Sequence, residues 1–399
     1  MRWGCFHPSP GEAGRSGAGV LAERVYREDI EGGVLLHRAR PDLRRLYVEL
    51  TSRCRGGCVA CVRRSWDEPV GDMSVDLLRE VIAGAVRESQ LERVHFGGIG
   101  EPFLHPGVME AIALVKGAGL KVTISTNGSD LRTLAGELVA MQVDELVVSC
   151  DSPDPGRYGE IRGSSLAALE EGLEALGRAK ARAGSVLPRL VLEFVAMRGN
   201  LADLRDMPRF ARRWGAASLL VTNLLPYTRA MAGEILYTGP NAPMRPAESG
   251  SLRPDASALV WAAAAREWFT WGTVDLPRMA WGAARRCRFV GTQAAVVGWD
   301  GKVSSCIPLS HNYTFFIFGQ PKCVRRYTLG ELGSQDLLAI WMSEEYVKFR
   351  SRVRRYDFPS CVDCALGETC DYRSENRDCW GGDPSCADCL WAQDIIRCP

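Results

Sequence analysis

The sequence predicts an α/β protein, a parallel sheet alternating with helices, followed by a cysteine-rich C-terminal region. Two observations carry the prediction. From Leu46 onward, short β-rich runs alternate with helix-like runs, and strands separated by helices become parallel neighbours because parallel pairing needs a crossover. Ten of the fifteen cysteines lie between Cys287 and Cys398, which sets that stretch apart from the alternating region.

The elements follow in order. LYVEL precedes MSVDLLREVIAGAV, VHF precedes VMEAIALVKGAG, and KVTIS precedes LRTLAGELVAM. DELVVS then leads to SLAALEEGLEALGRAKA, RLVLEFVAM to LADLRDMPRFARRWG, and SLLVTN closes a set of six strands. The pattern breaks at NLLPYTRAMAGEILYTGPNAPMRPAESGSLRP, too long and too rich in Gly and Pro for an ordinary connection, which reads either as a lid or substrate loop or as a linker. A helical run from Asp255 to Trp271 comes next. The expected organisation is an N-terminal extension over 1–40, the alternating domain over 41–250, a linker helix over 251–285 and the cysteine-rich domain over 286–399.

Composition narrows the function classes. In 399 residues, 46% hydrophobic and 24% charged, there is apolar surface for a globular core, and a net charge of +1 gives no global reason to expect a nucleic acid or an anionic membrane as partner. The richest apolar window, ALVWAAAA, is cut off by Arg266 and Glu267, well short of a membrane span. The opening MRWGCFHPSPGEAG lacks the apolar core of a secretory signal, so the expectation is a cytoplasmic protein. There thiols stay reduced, and fifteen cysteines point to metal binding rather than disulfides.

In such sheets functional groups gather at the C-terminal strand ends, and the motifs fall there. After LYVEL comes RCRGGCVAC, placing Cys54, Cys58 and Cys61 on one loop. A structural zinc site needs four protein ligands, and His37 and His95 lack zinc-finger spacing. Three thiolates instead suit a cubane iron–sulfur cluster whose fourth iron stays open, and Gly56 and Gly57 let the loop approach it closely.

This CX3CX2C spacing after a first strand resembles the signature of radical S-adenosylmethionine (SAM) enzymes, and further motifs appear in the expected order. Gly97-Gly98-Ile99-Gly100-Glu101-Pro102 resembles the family's Gly-Gly-Glu-Pro segment, Ser125-Thr126-Asn127-Gly128 its third-strand motif and Ser149-Cys150-Asp151 its fourth. The resemblance implies a partial (β/α)6 barrel with a 4Fe-4S cluster whose open iron chelates SAM, and a 5′-deoxyadenosyl radical that abstracts hydrogen from a substrate. It implies that the GGIGEP backbone holds the SAM amino group, that Ser125, Asn127 and Arg162 serve its ribose and carboxylate, and that Val195 flanks the adenine. Two departures stand out: Ala60 replaces the usual aromatic residue before the third cysteine, and Ile99-Gly100 is inserted in the glycine motif. Read alone, GGIGEP is a turn, STNG a helix-capping turn and Cys150 an inert buried thiol.

The interval Cys287-X13-Gly301-X4-Cys306, followed by CX2CX5C at Cys361, Cys364 and Cys370, resembles the SPASM domain, which carries auxiliary iron–sulfur clusters. The next cysteine of that pattern is Ser374 here. The resemblance implies two auxiliary clusters: Cys287, Cys306 and Cys379 on one, and Cys361, Cys364 and Cys370 on the other with a fourth ligand from Cys386, Cys389 or Cys398. Alternatively, the CX2C pairs at 361/364 and 386/389 form a structural four-thiolate zinc site. Cys323 and Cys5 are expected to be spare thiols.

Several stretches, CVRRSW, VTNLLPYT, PLSHNYTFFIFGQ and CADCLWAQDIIRCP, resemble the radical SAM maturases associated with tungsten-dependent aldehyde oxidoreductases. That implies an enzyme that modifies or installs the tungsten–pterin cofactor of a client oxidoreductase, meeting it through the 224–256 segment and the C-terminal region, with an electron donor such as ferredoxin or flavodoxin. The alternatives are a SPASM maturase acting on a peptide or protein substrate, and a non-catalytic metal-binding scaffold.

Overall fold

The computed structural model describes residues 24–238, 272–279, 281–282, 284–367 and 369–399. Cys5, most of the expected N-terminal extension, the Gly/Pro-rich stretch beyond Thr238 and the helical run from Asp255 to Trp271 lie outside them.

The chain enters through a hairpin, β1 (Arg24–Ile30) and β2 (Gly33–Ala39), whose Tyr26 hydroxyl donates to the Met342 carbonyl at 2.7 Å. The six expected strands follow: β3 (Arg45–Val48), β4 (Arg93–Phe96), β5 (Lys121–Thr126), β6 (Glu145–Ser149), β7 (Arg189–Ala196) and β8 (Ser218–Asn223). They pair in parallel in chain order. Between them run α1 (Val75–Glu88), α2 (Val108–Gly117), α3 (Leu131–Ala140), α4 (Pro155–Arg162), α5 (Leu166–Ala183) and α6 (Met207–Arg213).

The period of two sorts each strand's side chains onto two faces. Leu46, Val48, Val94, Phe96, Val122, Ile124, Leu146, Val148, Leu192, Phe194 and Val221 join the main core with the buried faces of the helices. The opposite, concave face presents Tyr47, His95, Ser125, Ser149, Glu193 and Thr222. On the same face Val147, Val191 and Leu220 form a small buried apolar cluster, so the barrel interior mixes polar and packing side chains.

Three features depart from the expected elements. The run LADLRDMPRFARRWG is divided into a 3-10 turn over Arg198–Arg205 and the short α6, because Pro208 has no N–H to donate and is tolerated only in a helix's first turn. Helix α4 is an addition, started by Asp154, whose carboxylate accepts from the Arg157 N–H, with Pro155 at its first position. The sheet also extends beyond six strands: β9 (Thr273–Asp275) pairs with β8, and β10 (Ala294–Val297) runs parallel to β3. β10 continues antiparallel into β11 (Lys302–Ser304), so the cysteine-rich region begins by covering the open edge of β3, whose backbone groups would otherwise be unpaired.

The rest of that region comprises the short helix α7 (Arg288–Gly291), the hairpin β12 (Tyr313–Ile317) and β13 (Gln320–Val324), the two-residue β14 (Gly330–Glu331), and helices α8 (Leu337–Trp341) and α9 (Glu344–Arg355). A second core gathers Val62, Leu225, Phe315, Phe349, Phe358, Leu390 and Ile395. The final residues lie across the concave face: Asn223 donates to the Ile395 carbonyl at 3.0 Å, the Arg397 N–H to Thr222 Oγ1 at 2.8 Å, and the Tyr47 hydroxyl to the Pro399 carbonyl at 2.8 Å. Among the described residues no helix is long and apolar enough to cross a membrane.

Candidate functional site

The three-cysteine loop leaves the C-terminal end of β3 and ends in a single 3-10 turn, Val62–Arg64. Its shape comes from its own backbone: the Gly56 N–H points at Cys54 Sγ at 3.3 Å, and Arg64 donates to the Cys58 and Gly57 carbonyls, both at 2.9 Å. It leans on the end of α4, where the Val59 N–H meets the Ile161 carbonyl at 2.9 Å and the Cys58 thiol the Arg162 carbonyl at 3.5 Å. Burial pushes the Cys58 and Cys61 thiols above their ordinary range, so bare thiolates are disfavoured there until a cation is supplied.

The glycine motif threads against the start of this loop. A Cβ on Gly100 would sit 1.9 Å from the Thr51 carbonyl oxygen, so only glycine permits the approach, and the Glu101 N–H then donates to the Arg53 carbonyl at 2.8 Å. The Glu101 carboxylate turns inward, accepting from the Asn127 N–H at 2.7 Å, Thr126 Oγ1 at 2.8 Å and the Phe103 N–H at 3.2 Å. Burial raises its pKa, and these donors work against the rise. Glu101 thus ties the glycine motif to the STNG loop, where Asn127 Nδ2 lies 3.8 Å from Cys54 Sγ.

Asp151 is similarly occupied. It is 1% exposed, accepts from the Val195 N–H at 2.8 Å and from Arg162 Nη1 at 3.1 Å. Burial opposes the Arg162 charge, but Asp151 and then Cys58 outweigh it and hold the guanidinium firmly protonated beside the cysteine loop. Val195 and Ala60 pack on one small cluster with Ile161, Met197, Leu224 and Met231, so apolar side chains surround the position where an aromatic residue was expected. Ser149 donates to Glu193 at 3.3 Å. Ser125 bonds His95 Nε2 at 2.9 Å, and His95 stacks on Tyr47 at 5.0 Å. Burial pushes His95 down to about 3, so it is neutral, and pushes Glu193 up to about 7. Sequence reasoning missed both, although a lone Glu in RLVLEFVAM and a lone His in VHF are visible breaks in apolar strands.

Thus Cys54, Cys58, Cys61, Asn127, Arg162 and the glycine segment converge on one mouth of the barrel, with Ser125 and Ser149 below. Cys150 is fully buried and its thiol is raised to about 12, the environment of an inert cysteine.

The C-terminal cysteines fall into two neighbourhoods. Burial raises Cys306 and Cys386 well above the thiol range; Cys287 and Cys389 add to the rise at Cys306, and Cys389, Cys287 and Cys306 to the rise at Cys386. Cys361 is raised to about 12, first by burial and then by Asp388, with Cys379 and Cys370 among its thiol neighbours. This differs from the partition implied by the SPASM spacing: Cys379 keeps company with Cys361 rather than Cys287, and the pair 386/389 faces Cys287 and Cys306 rather than 361/364. Chain folding explains the exchange: Tyr356, just after α9, donates to the Cys386 carbonyl at 3.0 Å, and the Arg286 N–H donates to the Ala392 carbonyl at 2.9 Å, so the last segment returns beside Cys287. Cys398 accepts from Trp391 Nε1 at 3.2 Å, and burial raises it to about 12, with Glu193 adding to the rise. Cys323 is exposed on β13. Among the described residues no three His, Cys, Asp or Glu side chains converge on a point that one metal ion fills.

Two aromatic rings lie between the regions. Tyr227 and Tyr313 meet edge to face at 5.7 Å; besides burial, Cys61 and Cys398 raise Tyr227, while Cys306 and Cys389 contribute to Tyr313.

Comparison with known proteins bears directly on this arrangement. Residues 48–204 match the Radical SAM superfamily, and residues 287–365 match the iron–sulfur cluster-binding SPASM domain. The chain is 34% identical over 357 residues to the tungsten-containing aldehyde ferredoxin oxidoreductase cofactor-modifying protein of Pyrococcus furiosus, covering 89% of this chain and 96% of that one. It is 29% identical over 201 residues to a probable GTP 3′,8-cyclase of Methanosarcina acetivorans, spanning 59% of that protein. Among solved structures, native anSMEcpe with bound AdoMet superposes with a TM-score of 0.55 at 14% identity over 88% of this chain and 94% of its own. Streptococcus suis SuiB bound to precursor peptide SuiA gives 0.55 at 13% identity over 84% and 72%. At these identities the likeness is one of fold.

Proposed function

The chain belongs to the radical SAM superfamily, with a C-terminal iron–sulfur cluster-binding domain, and we propose that it matures the tungsten cofactor of a client aldehyde oxidoreductase. The observation that carries this reading is the near full-length similarity to a protein named for modifying that cofactor. A peptide substrate is the second reading; it rests on likeness of fold to SuiB alone.

The residues fit an iron–sulfur cluster at the barrel mouth. Three thiols share one loop, two of them raised by burial, with an N–H directed at the third and the buried Arg162 beside them. When bound, this cluster supplies the electron that cleaves SAM to a 5′-deoxyadenosyl radical. The protein's own work is to place and shield. The backbone of Gly97–Gly100 receives the SAM amino group, and Arg162 and Asn127 orient its carboxylate. Ser125 serves its ribose, and Val195, Ala60, Met197 and Met231 enclose its adenine in place of an aromatic ring. Glu101 and Asp151 act as positioning residues, since their carboxylates already hold Asn127, Val195 and Arg162. Tyr47, His95, Ser149 and Glu193 line the interior where the substrate meets the radical.

We assign Cys287, Cys306, Cys386 and Cys389 to one auxiliary cluster and Cys361, Cys364, Cys370 and Cys379 to a second, with Cys398 facing the barrel. The Tyr227–Tyr313 pair then lies between the SAM cluster and the nearer auxiliary cluster, a route for electrons from a ferredoxin- or flavodoxin-type donor.

After anaerobic reconstitution, about twelve irons per chain are expected for three clusters, against about four for the barrel cluster alone. Under reductant the protein should release 5′-deoxyadenosine, and Cys58→Ala should abolish it. Retained release in Cys58→Ala would overturn the site. To test the client, the tungsten oxidoreductase is produced with and without this protein and its cofactor masses compared; identical masses would overturn the maturation reading.

A further inference from the structure

The inserted Ile99-Gly100 in the glycine motif has a partner in the cysteine-rich region. Glu49, just beyond β3 and 4% exposed, accepts from the Ile99 N–H through Oε1 at 2.9 Å. Its other oxygen meets His311 Nε2 at 2.9 Å, and His311 Nδ1 meets Glu68 Oε2 at 2.7 Å. Glu68 also accepts from the Asn312 N–H at 2.8 Å, and the Trp66 ring lies 4.8 Å from the imidazole. The approach is close enough that a Cβ on Gly98, at a φ of +137°, would fall 2.9 Å from Glu49 Oε1. The Ile99 side chain, with Trp66, packs on the core of the cysteine-rich region.

A histidine facing a carboxylate oxygen with each ring nitrogen satisfies both contacts only when both nitrogens carry protons. His311 is 1% exposed, and a buried imidazolium between two carboxylates is a fixed, directional tie rather than a surface ion pair. Its position in the chain adds the connection. Cys306 begins the short turn Ile307–Leu309, which Ser310 closes immediately before His311. One rigid turn therefore carries both a cysteine of the first auxiliary group and the histidine that reaches the glycine motif.

We propose that the Glu49–His311–Glu68 bridge is an interdomain latch, through which the cysteine-rich domain fixes the Ile99-Gly100 insertion and so sets the affinity of the glycine segment for the SAM amino group. His311 is a positioning residue, acting through Glu49 and the Ile99 N–H. The inference rests on the reading that this segment receives the amino group. The raised pKa of His311, where burial is overcome by Glu49 and Glu68, agrees with the cationic form. Those two carboxylates are the charged groups that raise it. The latch is therefore complete below the folded pKa of His311 and weakens as pH rises through it.

The test uses the full chain, anaerobically reconstituted, with SAM affinity measured by equilibrium dialysis and SAM contact by the change it causes in the EPR signal of the reduced cluster. His311→Gln is expected to keep wild-type iron content while weakening SAM binding about tenfold, the effect typical of removing an outer hydrogen-bond partner of a bound group. Glu68→Gln, more exposed and gentler, should weaken it less, in the same direction. The ratio of wild-type to His311→Gln affinity should shrink as pH rises through the folded pKa of His311, which loss of packing alone would not produce. Unchanged affinity and EPR response in both variants would overturn the latch; if His311→Gln fails to fold, unchanged binding in Glu68→Gln overturns it alone. If the wild-type protein itself shows no SAM-dependent EPR change, it is the reading of the glycine segment that falls.

Discussion

The loop of Cys54, Cys58 and Cys61 and the group of Cys287, Cys306, Cys386 and Cys389 hold the same ligand in different surroundings. The loop's thiols are all partly exposed, held by hydrogen bonds within nine residues of chain and by the end of α4. In the second group Cys386 is buried while Cys287, Cys306 and Cys389 are part-exposed like the loop's thiols, but Cys287 and Cys306 pack on a core with Phe289 and Ala294, and the members come from segments about a hundred residues apart. The first arrangement presents ligands at the surface of a cavity, where a further molecule can join them. The second builds ligands into the packing, so that holding the domain together and holding iron become one task. An open site and a closed site therefore differ less in their cysteines than in what surrounds them.

Loss of one cysteine from each region gives the largest expected contrast. Cys386→Ala should lose about four irons and, because a buried thiol and the cluster that ties three segments both go, should lower the melting temperature of the reconstituted protein by several degrees. Cys54→Ala should also lose about four irons but melt close to wild type, since its loop is held by its own backbone. Cys379→Ala, in the other C-terminal neighbourhood, should remove a spectroscopically different cluster from the one lost in Cys386→Ala. Loss of the same EPR signal in both variants would break the partition.

The same contrast explains what was legible in the sequence. RCRGGCVAC is local: spacing, the preceding LYVEL and the glycines lie within about a dozen residues, so periodicity and motif order were enough to place the loop at the end of β3. The six strands were legible for the same reason. The grouping of C-terminal cysteines was not, because Ser374 interrupts the expected pattern and only the return of the chain after α9 shows that Cys386 and Cys389 face Cys287 and Cys306. Glu101 and Asp151 were legible as candidates but not in their contacts, since the partners of their carboxylates come from neighbouring strands. The pairing of β10 with β3 likewise joins residues some 250 positions apart, beyond the reach of any local pattern.

A smaller effect tests whether the open site depends on buried charge as the closed one depends on buried thiol. Asp151→Asn keeps size and part of the hydrogen bonding but leaves the Arg162 guanidinium without its carboxylate at 12% side-chain exposure. Breaking a buried pair in this way costs about 3 kcal/mol, the lower end for such pairs because Arg162 retains some solvent. Urea unfolding of the reconstituted protein reads this, and SAM affinity should fall with it; a variant as stable as wild type would show that the pair is not what holds α4 against the cysteine loop.

The smallest effect lies where the two regions meet, at Glu193, which faces Ser149 from the barrel wall and contributes to the environment of Cys398 from the C-terminal tail. Burial, and then Asp151, raise its folded pKa from 4.5 to about 7. A carboxyl group raised on folding binds more protons in the native state than in the unfolded chain between those two values, so stability declines as pH rises from about 4.5 to about 7 and the loss is complete above that window. Glu193→Gln removes the titrating proton while keeping the shape and a hydrogen bond for Ser149. It should match wild type near the acid end and exceed it at the alkaline end by on the order of 1–2 kcal/mol, less than the full shift because Glu193 is only part-buried. Thermal unfolding curves of both proteins at several pH values measure the difference directly. Parallel pH profiles would mean that Glu193 stays ionised across the range, setting it apart from Cys58, Cys61 and Cys386, whose thiols burial raises.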